Sequence, residues 1–120
     1  MAPFEKLEAW KLAYAFTLDA YRVTAQFPRH ELYGMTSQIR RAALSIASNI
    51  AEGSAKRGAR EFRRYLDIAL GSLAEVTCEL RLARDLGLIS VESWTKLEAQ
   101  RNHAGALIWK LYASILKRAW

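Results

Sequence analysis

Apolar residues recur at helical spacing in four stretches of the chain, and no stretch alternates with period two for long enough to form a strand. In the first, Leu7, Trp10, Tyr14, Leu18 and Tyr21 follow one another at steps of three and four. In the second, Ile39, Ala43, Ile46 and Ile50 do the same. The third is the most regular. Phe62, Leu66, Ala69, Leu73, Val76, Leu80 and Ala83 step 4-3-4-3-4-3, a heptad seam. The fourth places Trp94, Leu97, Ala104, Ile108, Leu111 and Ile115 on one side.

Punctuation sets the limits. Pro28 ends or prevents a helix, Gly87 stands where a C-terminal cap glycine belongs, and Ser90 is placed to cap the last helix. The expected helices are 5–25, 31–52, 59–86 and 91–117, with the last residues, 117–120, fraying. Four long helices with short connections predict an all-α fold, an antiparallel up-down-up-down four-helix bundle spanning residues 1–120 as a single domain. The third helix also offers Tyr65, Ile68, Leu70 and Leu82 outside its seam. A helix apolar over more than one stripe buries more than one face. The extra face would be covered by a second copy in a homo-oligomer, or by a wide core stripe in a monomer.

The chain has 120 residues, 52% of them hydrophobic and 25% charged, which suits one globular domain and excludes wholesale disorder. The single cysteine, Cys78, has no partner for an internal disulfide, and its flanks would not activate it, so it reads as a packing residue in a reducing compartment. With no signal-peptide pattern and no long apolar run, a cytoplasmic protein with no membrane attachment is expected. Trp10 and Trp94 are assigned to the core, and Trp109, off the main stripe of its helix, to a contact between copies.

Charge changes the picture more. The net charge of +6 is not evenly spread: residues 40–64 hold seven basic and two acidic residues and so carry +5 of it. Such a concentration makes a local positive field that attracts polyanions. Arg57, Arg60 and Arg64 step i, i+3, i+7, and Arg63 joins the face of Lys56 and Arg60. Arginine suits phosphate because its planar fork can grip two oxygens. Arg40 and Arg41 lie more than two turns before the end of the second helix and are secondary candidates. No zinc-finger, helix-turn-helix or RNA-recognition string is present, so binding would be sequence-tolerant.

Catalytic and metal readings are weaker. Ser45, Ser48, Asn49 and Glu52 form a small polar stripe whose i, i+4 pairs satisfy one another, with only Glu52 as a local base. His30 and His103 have no ligands at metal spacing, and Asp67, Glu75 and Glu79 lack the Glu-x-x-His partners of a di-metal bundle. No cofactor, metal site or enzymatic activity is expected.

Several strings together resemble a known family: Phe27-Pro28-x-x-Glu31-x-Tyr33-Gly34, Gln38-Ile39-Arg40-Arg41-Ala42-Ala43, Ser45-Ile46-x-Ser48-Asn49-Ile50-Ala51-Glu52-Gly53, Glu61-Phe62-x-x-Tyr65-Leu66-x-Ile68-Ala69-x-Gly71-Ser72 and Glu75-x-x-x-Glu79-Leu80. They are similar to the four-helix bundle proteins encoded in intervening sequences of bacterial 23S ribosomal RNA genes, over residues 7–117. A remoter resemblance is to the accessory variability protein of diversity-generating retroelements. That resemblance implies a pentameric ring of bundles with a basic surface that binds nucleic acid and a reverse transcriptase. The function expected is therefore a non-enzymatic accessory protein gripping RNA or DNA phosphates through Lys56, Arg57, Arg60, Arg63 and Arg64, with Arg40 and Arg41 secondary. The alternative is a scaffold docking an acidic partner such as a polymerase or a ribosome-associated protein. Where the family commonly has serine before the third helix, this chain has Gly58. A glycine N-cap is only slightly poorer than serine, so Gly58→Ser is expected to be neutral to slightly stabilising.

Overall fold

The computed structural model describes residues 2–118, with side chains through residue 117. A 3-10 turn at Pro3–Lys6 precedes α1 (Glu8–Thr24). Then come α2 (Ser37–Ser54), α3 (Ala59–Asp85) and α4 (Val91–Arg118). Among the described residues there is no strand, and the molecule is an elongated all-α four-helix bundle of 48 × 24 × 22 Å. Lys117 still lies in α4, and residues 119–120, where fraying was expected, are outside the described residues.

The heptad seam of α3 forms the centre of the core. Leu66, Ala69, Val76, Leu80 and Ala83 are fully buried and Leu73 nearly so. They share one core with Ile39, Ala43, Ile46 and Ile50 of α2 and Leu97, Ile108 and Ile115 of α4, all at the positions the periodicity predicts. Cross-helix contacts fix the register. The Thr17 hydroxyl of α1 lies 3.1 Å from the Ala43 carbonyl of α2. Ser45 of α2 and Ser72 of α3 share a 2.7 Å hydrogen bond. Gln100 of α4 donates to Asp19 of α1 at 2.8 Å.

α1 departs from expectation. Its buried residues are Ala9, Ala13, Phe16, Thr17, Ala20 and Thr24, while Tyr14, Leu18 and Tyr21 are 47%, 40% and 39% exposed. The small stripe wins because it lets the α1 backbone approach α2 closely enough for the Thr17 bridge; the aromatic stripe would hold the helices apart. Trp10 ends up half-buried, stacked on Tyr14 at 4.8 Å and edge-on to Phe4 at 4.8 Å. Trp94 is also half-buried, with Arg84 lying 4.5 Å over its ring. Cys78 is exposed rather than packed, because it falls two residues from both Val76 and Leu80 and so faces away from the seam.

The boundaries reflect local chemistry. α2 begins at Ser37, not near residue 31, because Gly34 (φ −110°, ψ −110°) interrupts the helical path and Leu32–Thr36 forms a wide π-type turn. Glu31 steadies that turn by accepting the Met35 N–H at 3.3 Å. α3 ends in a Schellman motif: Gly87 (φ +74°) donates to Arg84 O at 3.0 Å, and Leu88 to Ala83 O at 2.9 Å. Ser90 caps α4 as expected, its hydroxyl accepting the Ser93 N–H at 3.1 Å. Phe27, between α1 and α2, and Ile89, between α3 and α4, are both buried in the core.

Gly58 does precede α3, but with φ +86° and ψ 153°, a region that only glycine occupies without strain. The expectation for its replacement therefore reverses. Gly58→Ser should destabilise by about 1–3 kcal/mol, read as a lowered Tm; a Tm at or above wild type would mean the loop relaxes to a negative φ. Ile46→Ala, at a site with no exposure, should cost roughly 2–5 kcal/mol in denaturant unfolding, and a loss within error would place Ile46 outside the cooperative core.

Candidate nucleic-acid interface

Close packing at the end of α2 positions the basic cluster. Gly53 lies so near α3 that a Cβ there would stand 2.7 Å from the Tyr65 Cβ and 3.1 Å from Phe62 Cδ1. The chain then turns through residues 55–58 and re-enters a helix at Ala59. Lys56 and Arg57 consequently stand on this connection, not on the α3 face that helical spacing would give them. Arg60, Arg63 and Arg64 project from the first turns of α3, where the helix dipole also favours an anion.

Arg60, Arg63 and Arg64 line one groove, of about 470 Å³, with Glu61, Asp67 and Tyr112. They are not equivalent. Arg64 donates to both carboxylate oxygens of Glu61 at 3.3 Å and stacks 4.6 Å over Tyr65. Its hydrogen bonds to Glu61, and then the charge of that carboxylate, push its pKa further up. Lys56 approaches the same Tyr65 ring, 5.5 Å from its centroid. Arg63 is half-buried, with Nη1 hidden and unpartnered. Arg57 and Arg60 are exposed and have no acidic partner among the described residues.

Arg40 and Arg41 lie elsewhere. Arg40 Nε donates to Thr24 Oγ1 at 2.9 Å and Nη2 to Tyr21 O at 3.2 Å, while its guanidinium sits 4.7 Å over the Tyr21 ring. It closes the carbonyl end of α1, a structural task that favours a cation. Arg41 is exposed beside a polar cavity of about 260 Å³ lined by Gln38, Ala42, Ser45, Ser72 and Glu75. In that cavity Ser45 meets Ser72 and accepts from Asn49 Nδ2 at 3.0 Å, so these polar groups satisfy one another across α2 and α3. Glu52 is exposed and forms no ion pair among the described residues.

Sequence spacing alone missed Tyr65 as the ring beneath two cations, and Tyr112, which α4 brings to the groove. The immediate succession of Arg64 and Tyr65 was the available signal for the first; nothing local to α4 signalled the second. At the other end of the bundle, Asp19 receives Gln100 at 2.8 Å, Arg22 at 3.0 Å and Lys96 at 3.5 Å. Burial pushes the Asp19 carboxyl up, but these donors together hold it below its ordinary value. His30 and His103 are both exposed. Among the described residues no three His, Cys, Asp or Glu side chains group as metal ligands. No helix among them is long and apolar enough to cross a membrane.

The chain is an all-α four-helix bundle with Arg57 and Arg60 exposed and unpaired beside its α2–α3 connection. The chain belongs to the 23S rRNA-intervening sequence protein family, whose model matches residues 5–110. A similar fold occurs in the crystal structure of a protein of unknown function from the S23 ribosomal protein family of Bacteroides thetaiotaomicron VPI-5482. The TM-score is 0.78 at 20% identity, over 87% of this chain and 97% of that one. No curated protein matches the sequence.

One carboxyl on α3 is perturbed. Burial, then the charge and hydrogen bond of Glu75 one turn away, push Glu79 up to about 7, and one of its oxygens is buried without a partner. A carboxyl whose folded value exceeds its unfolded one holds its proton more tightly in the native state. Stability therefore falls as pH rises from about 4.5 to about 7, and the penalty is complete above that. Glu79→Gln should match wild type in urea unfolding at pH 4 and exceed it at pH 8; equal stability at pH 8 would mean that Glu79 ionises freely.

Proposed function

We propose that this protein is a non-enzymatic, nucleic-acid-binding accessory protein that grips phosphate backbones with the Lys56, Arg57, Arg60, Arg63 and Arg64 cluster. The observation that carries the reading is the exposure of Arg57 and Arg60, without acidic partners, beside the groove that Arg63 and Arg64 line. A fixed positive field of this kind lowers the free energy of any polyanion that displaces its counterions. Arg40 drops out of the contact set because its donors are engaged by α1, and Arg41 becomes a separate, minor site. The family's name ties it to 23S ribosomal RNA intervening sequences, which makes structured RNA the first polymer to test. The Ser45 hydroxyl is engaged by Ser72 and Asn49, not by an imidazole or carboxylate, which favours a binding role over nucleophilic catalysis. The setting we propose is the cytoplasm.

We take the bundle to be antiparallel, up-down-up-down. Contacts that run in opposite directions along the chain support that sense: Thr17 with Ala43 and Thr24 with Arg40, then Ser45 with Ser72 and Gly53 with Tyr65. We further propose a homo-oligomeric ring, using the exposed Ile68 and Leu82 of α3; a count of five rests on resemblance alone. A second reading, a scaffold whose basic patch docks an acidic face of a polymerase or ribosome-associated protein, draws on the same exposed and unpaired Arg57 and Arg60.

Arg60→Glu combined with Arg64→Glu should abolish RNA retention while leaving the helical circular dichroism intact. Wild-type binding should weaken with salt, at a log–log slope of about −0.9 per duplex phosphate neutralised. Retention by the double variant, or binding indifferent to salt, would remove the phosphate-gripping role and leave the scaffold.

A further inference from the structure

The arginine groove has a second wall that charge alone does not explain. Tyr112 of α4 lines it opposite Arg60, Arg63 and Arg64, and Trp109, one turn earlier on α4, lies edge-on to Tyr112 with ring centroids 5.9 Å apart. Trp109 is 59% exposed. Its neighbours on the same helix, Ile108 and Leu111, already face the core or pack against it, so the indole contributes nothing to that core. The edge-to-face contact with Tyr112 favours one placement of an indole otherwise open to solvent. Its link to the arginine groove is Tyr112, which lines that groove and touches the indole.

We propose that Trp109, braced by Tyr112, is a base-stacking platform, and that the ligand of the α3–α4 groove is a single-stranded nucleic acid. This rests on the phosphate-gripping role and names its substrate class. The pairing of cations with an aromatic face is what an unpaired strand requires: arginines track the backbone while rings receive the splayed bases. A duplex can use only the first, since its bases are already stacked on one another and their faces are hidden. Charge also favours this division. Within the groove itself Glu61 and Asp67 offset two of the three arginines, so a densely charged duplex lying along it gains less than a strand that adds stacking to each phosphate contact. Stacking tolerates any base, which fits a surface without a base-reading motif.

The test compares the full chain with Trp109→Ala, Trp109→Phe, and Arg60→Glu with Arg64→Glu. The probes are a 12-nucleotide single-stranded RNA and an RNA duplex with the same number of phosphates, with mass by light scattering in parallel. Loss of one stacked base should weaken single-strand binding by roughly 5- to 150-fold in Trp109→Ala. Duplex binding should stay within about twofold, and Trp109→Phe should retain most of the single-strand affinity while losing the fluorescence quench that Trp109 supplies. An equal loss on both polymers, an unchanged single-strand affinity, or a lower assembly mass in Trp109→Ala would overturn the platform; the last would make Trp109 a contact between copies. Those outcomes leave the phosphate-gripping role standing wherever the arginine reversals still abolish binding. A wild-type chain that binds neither RNA overturns both.

Discussion

Everything near the basic cluster depends on the approach of α2 to α3 at Gly53. There is no room for even one carbon between that backbone and the Tyr65 and Phe62 side chains. The contact ends α2 hard against its neighbour, so four residues suffice to reach the start of α3, and the last of them must take a backbone conformation open only to glycine. Lys56 and Arg57 are carried on that short span, and Arg60, Arg63 and Arg64 follow within two turns. A wider separation of the helices would need a longer, looser connection and would scatter the same charges over a mobile loop. Electrostatic attraction is strongest where the cations are held in place beforehand, because no ordering entropy is then lost on binding.

The arginines divide by what surrounds them rather than by their number. Arg40 is held by a carbonyl, a hydroxyl and a ring, and Arg101 by a two-point contact with Glu98 at 2.9 and 3.0 Å. These are tied into the bundle itself. Arg64 stands between the two groups, shared by Glu61 and Tyr65, and Arg57 and Arg60 are left to solvent. Net charge alone therefore overstates the field available to a partner, and the position of the free cations decides where it is felt.

Much of this was legible in the sequence where residues of contrasting size and polarity alternated cleanly. The α3 seam, the isoleucines of α2 and the apolar side of α4 were readable because each large apolar residue stood three or four places from the next, with polar neighbours between. α1 was misread for the opposite reason. Two stripes coexist on it, one of alanine and threonine and one of aromatic residues, and hydrophobicity favours the second while helix approach requires the first. The place of Cys78 could be deduced from the seam itself, since it lies out of phase. The positive φ of Gly58 could not, because glycine is equally at home as an ordinary helix cap. The charge cluster was visible at once, but its wall of Tyr112 depends on which turn of α4 lies beside α3, a tertiary fact that spacing within one helix does not contain.

The small stripe on α1 makes the seams of the bundle unlike one another. Phe16 is the one large side chain that this helix buries completely; the rest of its buried contact is alanine and threonine. The α2–α3 seam is built differently, from isoleucine, leucine and valine. Branched side chains, not small ones, therefore close the helix pair that carries the basic connection. The surface that would meet a polyanion thus has an interlocked apolar seam for its footing.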